Sequence, residues 1–428
     1  MERIKKNNLL DYTGNYFAEE KFVNPHRLLE LNALPEADGD VVYLITREFR
    51  CYDNFALNYA VQKSTELNRA IKIIFLIPKF ELKTKENFFT ARFQVTKQDF
   101  RTLNFCYEIF SDEQQVSEYF QNNPPALVIK DFNPIESKFL PENKFKIIEI
   151  DGHNVLPAFF VSHKEEYNAS GLRRKIYLSV SEFLSEYPRV DLLRNDLMNE
   201  LRYFMGEKLP CYAEFKNKPD KNVTSGFSKY LNWGFISSQR IALEVIKSDA
   251  ADADKEAFLE ELIVRKELAD NFCFYNSDFK SLDGIPNWAK ETLREHSADL
   301  RTYLYSTEEL ENAKTIDPLW NAAQIQLLKE GLIHGYMRMY WAKKIAEWSP
   351  NPQTALERCI YLNDKYAFDA PSSNGYVGIL WSIGGLHDRA FAQRPVTGKI
   401  RPMTFKGAKG KFDVKAYIER YPSLQMSG

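Results

Sequence analysis

Between Asp317 and Trp348, DPLWNAAQIQLLKEGLIHGYMRMYWAKKIAEW, this 428-residue chain places three of its six tryptophans on helical ground. Gly331 divides the stretch, so Leu319 to Lys329 and Leu332 to Trp348 read as successive helices. In the second, His334, Met337, Trp341, Ile345 and Trp348 recur at the three-or-four spacing that gathers side chains on one helix face. Trp341 and Trp348 are then two turns apart, roughly 10 Å along the axis. Two readings follow. One is an aromatic-rich core helix; the other is a row of indoles carrying electrons to a buried redox cofactor. These residues alone leave both open.

All six tryptophans lie at or after Trp233, so the C-terminal part has requirements the N-terminal part lacks, and the length accommodates two domains. The five cysteines, Cys51, Cys106, Cys211, Cys273 and Cys359, are scattered and contain no CxxC, which argues against a zinc site or a secreted disulfide framework. None of the six histidines has metal-ligand spacing, and no Ser/His/Asp set can be assigned, so no metal is expected and hydrolysis is not indicated. Met1 to Leu31 is polar, with Lys5, Lys6, Asp11, Glu19, Glu20 and Lys21 and no long apolar run. A soluble, unsecreted, non-membrane protein is expected, cytoplasmic and nucleoid-associated or nuclear. Net charge is −2, but Arg389, Arg394, Lys399, Arg401, Lys406, Lys409, Lys411 and Lys415 stand against the single acid Asp413. Such a run is either a solvated basic surface or a phosphate-binding one.

In chain order, a leader (1–37) precedes Val41 to Ile45, a β-branched run, the helical Asn54 to Arg69, and the apolar Ile71 to Ile77, which together form a βαβ pattern. Asp112 to Gln121 reads as a helix, and Ala126 to Ile129 and Lys146 to Ile150 as buried strands. Residues 38–151 therefore predict an open, mainly parallel α/β domain. No GxGxxG follows its strands, so a dinucleotide fingerprint is absent. Residues 152–210, interrupted by Pro157, Pro188 and Pro210, read as a connecting segment. From 211 to 428 the pattern is helical, with candidates at Lys255 to Phe272, Thr307 to Lys314 and Asn351 to Tyr361 besides the two tryptophan helices.

Several residues in that second part are suited to binding. Thr224, Ser225, Gly226, Phe227 and Ser228 supply three hydroxyls and a glycine, either a plain loop or a cradle for phosphate oxygens. Glu261 and Arg265, four apart with the acid first, read as an exposed helix ion pair. Trp381 is followed by SIGG, which reads as helix-poor.

The tryptophan stretch, with IYLNDKYAFDAPSSNGYVGILWSIGGLHDRAF after it and GKIRPM and KFDVKAYIERY further on, closely resembles the class II cyclobutane pyrimidine dimer photolyases. The resemblance runs from about Asn24 to Tyr421 and leaves residues 1 to 23 outside. It implies an α/β domain followed by an all-α FAD-binding domain, a monomer, and light-driven repair of double-stranded DNA containing a pyrimidine dimer, with reduced FAD as the active form. A second, antenna chromophore in the α/β domain is compatible with the family, but the residues do not identify one.

By the same resemblance Tyr212 and Thr224 to Ser228 hold FAD, Arg338 and Asp369 form an ion pair beside its ring, and Asn363 faces flavin N5. Trp341, Trp320 and Trp348 pass electrons inward with Tyr305 assisting. Glu261 hydrogen-bonds the damaged bases, Trp381 and Met339 pack against them, and Lys216, Asn217 and Arg401 line the lesion site or the gap in the duplex. Lys399 belongs with Arg401, Lys409 and Lys411 on the duplex-binding surface. Three positions depart from relatives: Arg265 where some have Trp, Lys216 where some have Arg, and Asn232 where many photolyases have His. The alternative is a cryptochrome-like photoreceptor that signals through a partner. Glu261, Trp381 and the basic segment favour repair.

Overall fold

A computed structural model describes Leu9 and residues 23–136, 138–187 and 195–422. The leader up to residue 22, apart from Leu9, and the Pro188 interruption lie outside the described residues. The chain divides into two compact units, residues 1–164, 170–206 and 230–267 in the first and residues 165–169, 207–229 and 268–428 in the second.

The first unit holds a sheet of six described strands, β1 (Leu28–Glu30), β2 (Val41–Ile45), β3 (Ile71–Leu76), β4 (Tyr107–Phe110), β5 (Leu127–Asp131) and β6 (Ile147–Ile150), in the order β1-β6-β5-β2-β3-β4. β1 is antiparallel to β6 and the other pairings are parallel. Central β2 and β5 are buried at every position, as a strand covered on both faces requires, and this is why their β-branched runs were legible. The edge strand β1 falls in the stretch read as a leader, and β4 has no apolar run to announce it.

The Lys83–Thr102 helix, which sequence reading missed, buries Phe89, Phe93, Thr96 and Phe100 on one face. Phe93 and Phe100 lie edge-on to Phe75 of β3, at 5.0 and 5.2 Å between ring centroids. At the end of β5, the Asp131 carboxylate accepts from Tyr43 Oη (2.6 Å) and from the backbone N–H groups of Thr46, Arg47 and Glu48 (2.8–2.9 Å), which closes the turn leaving β2.

The second unit is helical. The Pro318–Glu330, Pro352–Tyr366 and Ser373–Gly384 helices each pack against the Gly335–Trp348 helix. Asp317 caps Pro318–Glu330 by accepting from Leu319 N and Trp320 N, at 3.0 and 3.1 Å. Gly331 ends that helix at φ +64°, where an added Cβ would meet the Phe368 ring at 2.3 Å, so both conformation and space require glycine. His334, read as part of the aromatic face, is instead the N-cap of Gly335–Trp348, its Nδ1 accepting from Tyr336 N at 3.1 Å. The SIGG stretch is also corrected: Trp381 lies in the last turns of Ser373–Gly384, and Gly385 at φ +61° is its C-cap. No helix among the described residues is long and apolar enough to cross a membrane.

Candidate functional site

In the second unit, Arg338 and Asp369, thirty-one positions apart, meet as a two-point ion pair: Arg338 Nη2 donates to both Asp369 carboxylate oxygens, at 3.0 and 3.2 Å. Arg338 Nη1 donates to Asn363 Oδ1 at 3.2 Å, and Asn363 Nδ2 donates to Asp364 Oδ1 at 2.9 Å. Arg338 comes from Gly335–Trp348, Asn363 from the end of Pro352–Tyr366, and Asp369 from the turn after it. Gly375 makes this possible, since an added Cβ would lie 3.0 Å from Asn363 Nδ2. The result is a rigid set of donors and acceptors on three elements, with Asn363 only 4 % exposed.

Three residues after Arg338 on the same helix, Trp341 begins a run of touching rings. Trp320 enters from the neighbouring helix and stacks on Trp341 at 6.4 Å between centroids and 4° between planes. Its edge also meets Trp348, at 5.6 Å and 71°. The two indoles predicted to share a face are thus bridged by a third. Trp348 in turn meets Tyr305 edge-on at 5.2 Å and 80°. Trp341 Nε1 donates to Gln324 Oε1 at 2.8 Å and Trp320 Nε1 to the Trp341 carbonyl at 3.0 Å, which fixes both planes. Sequence reading missed Gln324; its position four residues after Trp320, on the same helix face, was the signal.

Trp381 is covered by cations. Lys343 Nζ lies 4.5 Å from its ring centroid and the Arg401 guanidinium 5.8 Å, and Arg401 also lies 4.3 Å from the Phe391 ring. Arg401 makes a two-point pair with Asp388, at 2.7 Å for each bond. Lys343 is buried and donates to the Ser382 carbonyl at 2.7 Å. Burial pushes its ammonium down to about 7, with Arg401 acting the same way and Asp388 and Glu347 opposing. Nothing in the sequence marked Lys343, since a lysine two residues after Trp341 is expected to point to solvent.

Met339 sits half-buried on the same helix as Arg338. Tyr212 is buried in the short Tyr212–Phe215 helix, with Lys216 its C-cap and Asn217 exposed beyond. In Thr224–Ser228, Gly226 has φ +74° and open space where a Cβ would stand. Ser225 Oγ accepts from Phe227 N at 3.3 Å. Hydroxyls at 224, 225 and 228 around a left-handed glycine form a donor set that fits phosphate oxygens, and the Arg338–Asp369–Asn363 set fits the polar edge of a flavin ring. The residues present therefore fit FAD. Lys399 is half-buried, its backbone N–H donating to Thr292 Oγ1 at 3.1 Å, while Lys409 and Lys411 are exposed.

Glu261 and Arg265 belong to the first unit. They lie in a π-helical turn, Glu260–Arg265, between the Asp252–Leu259 and Lys266–Tyr275 helices. The wider turn aligns residues five apart, and Arg265 Nε pairs with Glu260 at 3.0 Å, which corrects the predicted Glu261–Arg265 pair. Arg173 holds the same Glu260 carboxylate at 2.6 and 2.9 Å. Glu261 is exposed on this turn.

The fold is shared with photolyases and cryptochromes. A class III photolyase from Agrobacterium tumefaciens superposes with a TM-score of 0.66 at 16% identity, over 90% of this chain and 87% of that one. A cryptochrome from Synechocystis sp. PCC6803 gives 0.68 at 12% identity, over 91% and 89%. No family model matches the chain. Among curated proteins, the deoxyribodipyrimidine photo-lyase of Potorous tridactylus is 35% identical over 425 residues, covering 88% of this chain and 80% of the relative. That of Arabidopsis thaliana is 34% identical over 448 residues, covering 91% and 90%. The chain belongs to the deoxyribodipyrimidine photo-lyase family.

Proposed function

We propose that this chain is a class II photolyase that repairs cyclobutane pyrimidine dimers in duplex DNA, driven by light. The observation that carries the reading is that Arg338 of the ion pair and Trp341 of the ring run are three residues apart on one helix, so the donor set for a flavin and the path for its electrons share a support. Tyr212, Thr224–Ser228, Arg338, Asn363 and Asp369 would hold FAD. Reduced and bound, FAD supplies an electron donor that blue or near-UV light makes strong enough to reduce a pyrimidine dimer.

The protein's own residues then divide the remaining work. Asn363 both donates and accepts, so it can hydrogen-bond a ring nitrogen in more than one protonation state. The Glu261 carboxyl hydrogen-bonds a pyrimidine carbonyl where negative charge develops. Trp381, its ring backed by Lys343 and Arg401, offers a face for an extruded base. Lys216, Asn217 and Arg401 occupy the gap that the extruded bases leave, and Lys399, Lys409 and Lys411 contact phosphates. A crevice at the carboxyl ends of β2 to β4, lined by Thr46, Pro78, Lys79, Asp112 and Glu136, is where an open α/β sheet would take an antenna chromophore.

The cryptochrome-like alternative shares the fold but leaves Trp381, Arg401 and the basic segment without a task. The test is light-dependent reversal of dimers in duplex DNA by the purified flavoprotein. Reversal only under illumination supports the proposal, and lesion-independent flavin photochemistry alone would sink it.

A further inference from the structure

Trp348 is 6% exposed, Trp341 2% and Trp320 fully buried, so a relay that ended at Trp348 would end inside the protein. An electron vacancy arriving there needs a way out. The ring contacts continue past it: Tyr305 meets Trp348 edge-on at 5.2 Å, and Tyr303 stacks on Tyr305 at 6.3 Å between centroids with 12° between planes. Tyr303 is 42% exposed. The five rings thus run without a break from full burial to solvent.

The segment carrying the two tyrosines is anchored at the end of the tryptophan helix. Arg301 Nε donates to the Ser349 carbonyl at 3.1 Å and its Nη1 to the Ser297 carbonyl at 2.9 Å, while Tyr305 N–H points to the Trp348 carbonyl at 3.5 Å. Tyr305 Oη accepts from Ile316 N at 3.0 Å, which holds that ring in place. The surroundings also set where along the run a vacancy can rest. Trp341 and Trp320 donate their indole N–H groups to carbonyl oxygens, which favour positive charge on the rings. Lys344 Nζ lies 5.9 Å from the Trp348 centroid, and although Glu347 pairs with it at 2.5 Å, an ammonium there disfavours a vacancy resting on Trp348.

We propose that Tyr303 is the surface terminus of the relay, where the vacancy leaves the protein and an external thiol reductant delivers its electron. The proposal rests on the relay reading above. With light-excited oxidised flavin as oxidant, Trp341 gives up one electron and is refilled in turn from Trp320, Trp348 and the tyrosine pair. At Tyr303 the electron passes inward, the phenolic proton goes to water, and a neutral tyrosyl radical remains. A thiolate then supplies one electron and water one proton, restoring the phenol and leaving a thiyl radical. The exposed phenol serves this step because its proton can leave and return, which an indole sealed from water does not allow.

The test compares Tyr303→Phe, Tyr305→Phe and Trp341→Phe with the parent as FAD-bound proteins, with flavin absorbance reporting that each is folded and loaded. Illumination followed by electron paramagnetic resonance should show a tyrosyl radical in the parent that dithiothreitol quenches. In Tyr303→Phe that signal and the thiol dependence of flavin photoreduction should be lost. In Tyr305→Phe the Tyr303 signal should be lost as well. A persisting, thiol-quenched tyrosyl signal in Tyr303→Phe overturns the assignment, and loss in Tyr303→Phe but not in Tyr305→Phe overturns the route. Normal photoreduction in Trp341→Phe means that the relay reading has failed, and the terminus with it.

Discussion

Replacing Trp341 with Phe separates flavin reduction from repair, and its cost can be worked from the structure. The indole is buried and its Nε1–H donates to Gln324 Oε1 at 2.8 Å. Gln324 is itself buried and tethered through Nε2 to the Glu311 carbonyl at 3.2 Å, so its oxygen cannot swing to a new donor. Leaving that oxygen unsatisfied costs about 1–3 kcal/mol. Shrinking indole to phenyl adds about 1 kcal/mol, a fraction of the full Trp→Ala penalty. A total of about 2–4 kcal/mol lowers the melting temperature of a 428-residue chain by roughly 2–5 °C, at about 2.1 cal/mol/K of unfolding entropy per residue, which leaves a folded protein at room temperature. Adding Gln324→Leu should recover part of the loss, because both partners of the bond are then gone. The Trp320 indole keeps its acceptor, which is the backbone carbonyl of residue 341. Anaerobic illumination with thiol present, followed through the flavin spectrum, should show photoreduction lost in both variants, while repair persists when the flavin is reduced chemically beforehand. Normal photoreduction would return Trp341 to the standing of a core residue. Lost repair with prereduced flavin would show that relay and repair site are not separable.

Three further outcomes follow from the same geometry. His334 is pushed down to about 4, chiefly by burial, against an ordinary value near 6.5; the unfolded chain binds the proton first, so stability is lost as pH falls from about 6.5 to 4, by about 3 kcal/mol, and His334→Asn, which keeps a neutral cap, should remove that part of the acid sensitivity in denaturation curves. Lys343 sheds its proton near 7 in the folded protein but near 10.4 unfolded, so its contribution makes stability rise with pH across that window, and the gap between parent and Lys343→Met should change by about 1.4 kcal/mol per pH unit there; a constant gap would mean that Lys343 stays charged. Lys409→Ala and Lys411→Ala should each flatten the dependence of log K on log salt by about 0.9 and weaken damaged and undamaged duplex alike, whereas Arg401→Ala, engaged with Asp388 and Phe391, should weaken dimer-containing duplex selectively; unchanged slopes in both lysine variants would remove that surface from the account.

The parts of this molecule legible in the sequence are those where one local pattern decides the outcome. Val41–Ile45 and Ile147–Ile150 are β-branched because both faces of a parallel sheet are covered, and the spacing of Trp341 and Trp348 is set by a helix the structure contains. Interleaved charges hid the Lys83–Thr102 helix, although Phe89, Phe93, Thr96 and Phe100 keep helical spacing. Glycines at 375, 378 and 384 disguised the helix that carries Trp381. The π turn at Glu260–Arg265 could not be read at all, because its register differs from an α-helix only in which residues align, and that decides whether Arg265 meets Glu260 or Glu261. At the site, resemblance named Arg338, Asp369 and Asn363, but their joining depends on three elements meeting. Lys343 escaped because burying an ammonium against an indole breaks the usual rule for lysine, which is what makes it informative.

The most direct measurement takes the purified protein with its flavin chemically reduced, mixes it anaerobically with a duplex carrying one thymine dimer, and follows dimer content and flavin redox state with and without blue or near-UV light. The dimer should be converted to the two parent bases only in the light, and the flavin should end as reduced as it began, because the electron returns. Conversion in the dark, or consumption of reduced flavin in step with the dimers repaired, would contradict the proposed function.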